Sequence, residues 1–335
     1  MQNNYLIRGK KINRQIIDCS LTNNFDEKYS KIYPYIKKSI TARLIANYPN
    51  CNYKKIKNLI SQKLQIKGEI IFGNGSEDLI IRINRYIEEH NLSVGIVHPI
   101  FYRIEETLRK QEKINIFQKD LINGSIETDV VWAQNPNLFN GQTLDREKVL
   151  KTIDFHKNTL FIFDEAGIFS LNNWQQYSLL QYAYQKNNLI VISSFSKMFG
   201  ISGLRAGFLL APINISNEIK RKGLTFPLST IAELFLASIF RRLNVIDNIR
   251  SVIQKNKNEL EILLSRNPSI IQKKTLTNCI FFKLKNRNVH KKLLNLGINT
   301  LNLNDYSDEK GFVRMTVHSS KILHKKIFRK LKKII

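Results

Sequence analysis

Asn188-Leu189-Ile190-Val191-Ile192-Ser193-Ser194-Phe195-Ser196-Lys197, followed eight positions later by Arg205 within Gly203-Leu204-Arg205-Ala206-Gly207, decides how this 335-residue chain is read. An apolar run ends in small hydroxyl residues and a lysine, and a second apolar run, Leu204 to Ala211, carries the arginine. An amine held at the edge of a buried strand is costly to keep charged, so burial lowers its pKa and makes it nucleophilic. A nucleophilic lysine forms a Schiff base with an aldehyde, and the aldehyde cofactor that proteins hold in this way is pyridoxal 5'-phosphate (PLP). Ser194, Ser196 and Arg205 would then serve the cofactor's phosphate. The competing reading is a lysine that falls beside a strand by chance, and the rest of the chain decides between them.

Working outward, short apolar runs alternate with longer helix-like segments, the pattern of an α/β protein. Strands are expected at 69–72, 93–97, 129–133, 160–163, 189–193 and 206–210, with a helix from Ser76 to about Glu89 and another from about Tyr102. Most of these strands carry a polar or glycine-containing cluster just past their C-terminal end, where open α/β sheets bind ligands. Beyond about residue 215 long helical stretches (230–242 and 246–265) precede strands at 278–284 and 311–318 and a final helix. That texture suggests a second, smaller α+β domain, which the first 40 or so residues join unless they cross to a partner subunit.

Lys+Arg exceed Asp+Glu by 53 to 27, a formal charge of +26. The basic residues are spread along the chain and are densest in the C-terminal stretch Lys321 to Lys333. We read them mainly as a solvated lysine surface that attracts anionic substrates rather than as a nucleic-acid site. Cys19, Cys51 and Cys279 are too few and too far apart for a disulfide framework or a zinc site, so no metal is expected. No apolar run approaches membrane-spanning length and no signal pattern opens the chain, so a cytoplasmic protein without a membrane partner is expected.

Four further segments carry chemistry. Gly73-Asn74-Gly75-Ser76-Glu77 is a strand-to-helix turn whose Gly75, Ser76 and Glu77 amides could bind a phosphate at a helix N-terminus, or could form a plain turn. Asp164 follows the apolar strand Leu160–Phe163 and needs a cationic partner, such as a protonated pyridine nitrogen, unless it caps a helix. Glu165 is read as structural. Asn135-Pro136-Asn137-Leu138-Phe139-Asn140-Gly141 forms a turn that could present an amide to a cofactor ring oxygen. Phe101 could stack on the ring or belong to the core. Arg314 interrupts the apolar strand 311–318 and suggests a carboxylate-binding fork or a structural ion pair.

In this order the segments resemble the fold-type I PLP-dependent enzymes, the class I/II aminotransferases, and most closely their histidinol-phosphate aminotransferase and threonine-phosphate decarboxylase branch. The resemblance covers nearly the whole chain. Ile17 to Asn23 looks like the branch's N-terminal segment, Tyr48-Pro49-Asn50 like its Tyr-Pro turn, and Ser194 to Arg205 like its lysine and phosphate-arginine stretch. It implies a large domain (41–225) with a mostly parallel central sheet sandwiched by helices. A small C-terminal domain (226–335) would follow, with an N-terminal segment (1–40) lying on that domain or on a partner. It implies that Lys197 forms the internal aldimine and shuttles protons, that Asp164 pairs with the pyridine nitrogen, and that Phe101 stacks on the ring. Ser194, Ser196, Arg205, Gly75, Ser76 and Glu77 would hold the phosphate, with Tyr48 reaching it across a homodimer that shares its active sites. Arg314 would bind the substrate carboxylate.

Two positions depart from the pattern. Gly167 stands where the family has Tyr or Phe, and Leu138 where it has Asn, so Asn137 or Asn135 is left as the ring-oxygen donor. The function implied is an aminotransferase acting on an amino acid or a phosphorylated amine such as histidinol phosphate, with a 2-oxo acid as second substrate. Its alternative is a decarboxylase of a phosphorylated amino acid, although the decarboxylases' N-terminal His-Gly-Gly is replaced by the neighbourhood of Arg8-Gly9. A basic nucleic-acid-binding protein on a degenerate enzyme fold is the reading from another class.

Overall fold

The computed structural model describes residues 16–24, 37–285, 288–306 and 310–334; Arg8-Gly9 lies outside them. The described chain begins with β1 (Ile17–Asp18) and then builds the main sheet. Its strands are β2 (Ile71–Asn74), β3 (Val94–Val97), β4 (Lys113–Ile116), β5 (Val130–Gln134), β6 (Leu160–Asp164), β7 (Leu189–Ser194) and β8 (Ala206–Leu210). Their spatial order is β2-β8-β7-β6-β5-β3-β4. All pairs among β7, β6, β5, β3 and β4 are parallel, and only β8 runs against its two neighbours.

The central strands are buried at every position, as expected of parallel strands covered on both faces. Successive residues serve opposite sides: Phe161, Phe163 and Val191 pack into one apolar cluster, and Leu160, Ile162, Ile190 and Ile192 into the other. The helix Gly75–Glu89 packs Leu79, Ile80, Ile83 and Ile87 into the second cluster. Strand β4 was not expected from the sequence. Its Lys113-Ile114-Asn115-Ile116 is too short and polar to read as a strand, and it lies exposed at the sheet edge, where charged residues discourage pairing with another chain.

After the helices Thr230–Phe240 and Leu243–Ser265 the chain forms β9 (Ile270–Lys273), β10 (Cys279–Leu284), β11 (Ile298–Asn299), β12 (Leu301–Asn302) and β13 (Val313–Thr316). Strands β12-β13-β10-β9 make an antiparallel sheet, while β11 pairs in parallel with β1. The N-terminal segment is thus tied to the C-terminal part of the same chain, where the Cys19 carbonyl also accepts the Thr316 amide at 2.9 Å. No helix among the described residues is long and apolar enough to cross a membrane.

Candidate active site

Strands β2, β3, β5, β6 and β7 all end at one edge of the main sheet, and the antiparallel β8 begins there. Asn74, Val97, Gln134, Asp164 and Ser194 therefore stand along one edge together with Arg205, the residue before β8. This accounts for an arginine that precedes its strand while the other residues end theirs.

At one end of this edge Arg205 meets the start of the helix Gly75–Glu89. The Gly75 amide donates to the Arg205 carbonyl at 3.0 Å. Gly75 has φ +77°, and a Cβ placed on it would come 2.4 Å from Arg205 Nη2, so only glycine lets the guanidinium lie against the helix start. The first amides of the helix Gly75–Glu89 have no partners within it and form its positive end. The Glu77 carboxylate is taken by Arg103 Nε at 2.7 Å, which leaves its main chain to the helix start. The Ser194 hydroxyl accepts the Ser196 amide at 3.1 Å, closing a tight turn. Tyr48 is exposed and stacks on Phe226 (centroids 5.0 Å apart, 17° between planes). In its own chain it lines an open cleft of about 690 Å³ that also contains Asn74, Leu204 and Arg205.

Lys197 is half-buried, on the bend that leaves β7. Its loop is anchored by phenyl rings: Phe195 packs against Phe169, Phe199, Phe208 and Phe240 at centroid distances of 5.1–6.5 Å. The Lys197 carbonyl accepts the amides of Gly200 (3.2 Å) and Asn24 (2.8 Å), so the N-terminal segment reaches the lysine directly. On the neighbouring strand Asp164 is buried. Its Oδ2 accepts Gln134 Nε2 at 2.7 Å and its Oδ1 the Ala166 amide at 2.9 Å. The latter is the local turn contact of an aspartate at a strand end, and a carboxylate so bonded still has lone pairs for a cationic N–H. Glu165, fully buried, accepts from Ser178 Oγ (2.6 Å) and the Leu179 amide (2.8 Å) and ties the aspartate's turn to the next loop. Burial pushes its carboxyl up to about 8.

Of the two candidate ring-oxygen donors, Asn135 is spent on the backbone: Nδ2 donates to the Tyr177 carbonyl at 2.8 Å and Oδ1 accepts the Leu144 amide at 3.1 Å. Asn137 donates from Nδ2 to the Pro99 carbonyl at 2.6 Å, joining its turn to the segment that carries the half-buried Phe101. Phe101 also packs beside the second core cluster. Arg314 is buried on β13, and neither of its Nη atoms meets a carboxylate: Nη1 donates to the Leu138 carbonyl (2.6 Å) and Nη2 to the Ser20 carbonyl (2.7 Å). Its Nε has no partner. Among the described residues Arg314 makes no ion pair, so the structural ion pair weighed from the sequence is not what is seen. A buried cation held by carbonyls, with no carboxylate partner among the described residues, is expensive alone and suits an anionic ligand.

Sequence reasoning missed Gln134, Asn24 and the phenyl anchors. Gln134 meets Asp164 because the two are register partners across β5 and β6, and a polar residue closing an apolar run was its only sequence signal. Asn24 gave none.

The edge can thus hold a dianion at one corner, a cationic N–H at Asp164 and a carbonyl carbon near Lys197, with a second anion at Arg314. Residues 23–327 match the family described as aminotransferase class I and II. A histidinol-phosphate aminotransferase of Oceanobacillus iheyensis is 28% identical over 232 residues, a match that spans 65% of this chain and 64% of that relative. The histidinol-phosphate aminotransferase of Sinorhizobium meliloti, solved in complex with pyridoxal 5'-phosphate, superposes with a TM-score of 0.85 at 15% identity, over 100% of this chain and 94% of that one. The L-threonine-O-3-phosphate decarboxylase of Porphyromonas gingivalis gives a TM-score of 0.81 at 18% identity, over 95% and 99%.

Proposed function

This chain belongs to the class I and II aminotransferase family, and from that premise we propose that it is a PLP-dependent aminotransferase. Its substrate is an amino acid or a phosphorylated amine of the histidinol-phosphate type, with a 2-oxo acid taking up the amino group. The observation that carries this reading is the convergence of Lys197, Asp164, Arg205 and the Gly75 turn on one sheet edge.

The residues fit the cofactor. The cradle where Arg205 lies against Gly75, closed to any larger residue, suits a phosphate dianion. A buried carboxylate at a strand end suits a pyridinium N–H. When bound, the group supplies an electron sink for the bonds at the substrate's Cα.

The chain's residues do the rest. Arg205, Ser194, Ser196 and the amides of Ser76 and Glu77 hold the phosphate by charge-assisted hydrogen bonds. The Gly75 amide, a donor expected from the sequence, is instead taken by the Arg205 carbonyl, and Gly75 serves by allowing the close approach. Asp164, oriented by Gln134 and the Ala166 amide, keeps the ring nitrogen's proton in place. Phe101 covers a ring face, and the second N–H of Asn137 Nδ2, whose first is taken by the Pro99 carbonyl, serves the ring oxygen. Lys197 holds the cofactor and then moves the proton at the substrate's Cα, its loop kept still by the phenyl anchors. Arg314 receives the substrate's carboxylate and thereby orients the Cα bonds.

We assign cofactor binding to residues 41–225, Arg314 to the small domain 226–335, and the N-terminal segment 1–40 to that domain or a partner. The active form is a homodimer in the cytoplasm in which Tyr48 reaches the partner's phosphate site. Decarboxylation of a phosphorylated amino acid would use the same groups with a different bond held perpendicular to the ring; the likeness of fold to the P. gingivalis decarboxylase favours it.

Adding L-glutamate to the PLP-loaded protein tests the assignment. Accumulation of pyridoxamine phosphate is expected, and CO2 release from a phosphorylated amino acid without it would overturn transamination.

A further inference from the structure

The two positions that depart from the family's pattern touch one another. A Cβ built on Gly167 would lie 2.9 Å from Leu138 Cδ2 and 3.3 Å from both Cδ1 and Cγ. The isobutyl group of Leu138 therefore occupies the space that any side chain at 167 would enter. Leu138 is buried, and its carbonyl is the acceptor for Arg314 Nη1 at 2.6 Å. The apolar end of one residue rests on the aspartate's turn while its polar end holds the substrate arginine.

Neither side of this contact yields readily. The Leu138 backbone is pinned on both flanks: Asn137 Oδ1 accepts the amides of Phe139 (2.9 Å) and Asn140 (3.3 Å), and Phe139 stacks on Tyr306 at 5.5 Å. The Gly167 carbonyl accepts Ser170 Oγ at 2.7 Å and the Ser170 amide at 3.1 Å. Upstream, the turn is fixed by Asp164 and Glu165. A side chain at 167 would thus push the isobutyl group, and through it the carbonyl, rather than be absorbed by the loop.

From this geometry we infer that Leu138 is a positioning residue for Arg314, and that the missing side chain at Gly167 is what gives Leu138 its seat. The departures are one change made at two positions: Leu138 and Gly167 together couple the turn that carries Asp164 to the fork that receives the substrate's carboxylate. Ser20 holds the other side of the same guanidinium. This inference rests on the reading of Arg314 as the carboxylate receiver.

The test uses the PLP-loaded protein and glutarate, a dicarboxylate with no amine to react, with binding read from the cofactor's visible absorbance. Gly167→Phe is expected to weaken glutarate about tenfold and to raise the KM for glutamate in step, with kcat within about threefold and PLP content unchanged. Adding Leu138→Ala to that variant removes the clash and returns the glutarate Kd to within about threefold of wild type. Should Gly167→Phe fail to fold, Leu138→Ala alone removes the brace and is expected to weaken glutarate about threefold. Wild-type glutarate affinity in either single variant, or a double variant no better than Gly167→Phe, overturns the inference. If Arg314→Ala weakens glutarate while those variants do not, only the coupling fails. If Arg314→Ala leaves glutarate unaffected, or the wild type does not bind it, the reading of Arg314 fails as well.

Discussion

The half of the site that we propose holds the cofactor and the half that we propose receives the substrate are built on different plans. The first is one edge of one sheet: Asp164 and Ser194 end their strands, Gly75 and Lys197 come just after theirs, and Arg205 precedes an antiparallel one. Each of its groups is fixed by a strand and a turn next to it in sequence. The second half is assembled from distant segments, with Ser20 and Leu138 holding Arg314 through their carbonyls. A site made of strand ends keeps its geometry as long as the sheet forms. A site made by packing between segments is set by side-chain volume and can be retuned by single substitutions.

Variants that strike one half alone separate the two plans. The largest effect belongs to the cofactor half: Asp164→Ala leaves the ring nitrogen without its counter-charge and should lower kcat by about 10²–10³-fold, measured in the glutamate half-reaction. Arg314→Ala should act on the other half only, raising the KM for glutamate about 100-fold while PLP content and spectrum stay as in the wild type. Arg205→Ala should do the reverse, weakening PLP by about 10–100-fold in an equilibrium titration. Gly75→Ala, which drives a methyl into the guanidinium, should move PLP affinity the same way by a smaller factor.

The smallest effect sharpens the picture of the aspartate's turn. Burial raises the Glu165 carboxyl from its ordinary 4.5 to about 8, so between those values the folded protein keeps a proton that the unfolded chain releases. The stability this proton confers is complete below about 4.5 and is lost as the pH rises through about 8. Glu165→Gln, neutral throughout, should flatten that slope: its Tm relative to wild type climbs from pH 5 to pH 8.5 in calorimetry. An unchanged difference across that range would mean that Glu165 is ionised in the fold.

The same contrast explains what could be read from the sequence. Ser194 to Lys197, Asp164 and the Gly75 turn were legible because an apolar strand announces each of them. That Gln134 lies beside Asp164 depends on register across two strands, which the sequence does not print. Strand β4 was hidden by its polar edge composition, and nothing in the sequence sets the phenyl anchors of the Lys197 loop apart from other apolar residues. Arg314 was visible as a cation in an apolar strand, but its carbonyl partners come from far along the chain. Gly167 and Leu138 stood out singly, and only the fold reveals that they touch.

The central claim is that Lys197 carries the cofactor. Borohydride reduction of the PLP-loaded protein, followed by peptide mass mapping, tests it most directly. The account expects a single pyridoxyl adduct on the peptide containing Lys197, and none in Lys197→Ala. An adduct on another lysine, or a Lys197→Ala protein that keeps the same visible band and the same labelling, would contradict it.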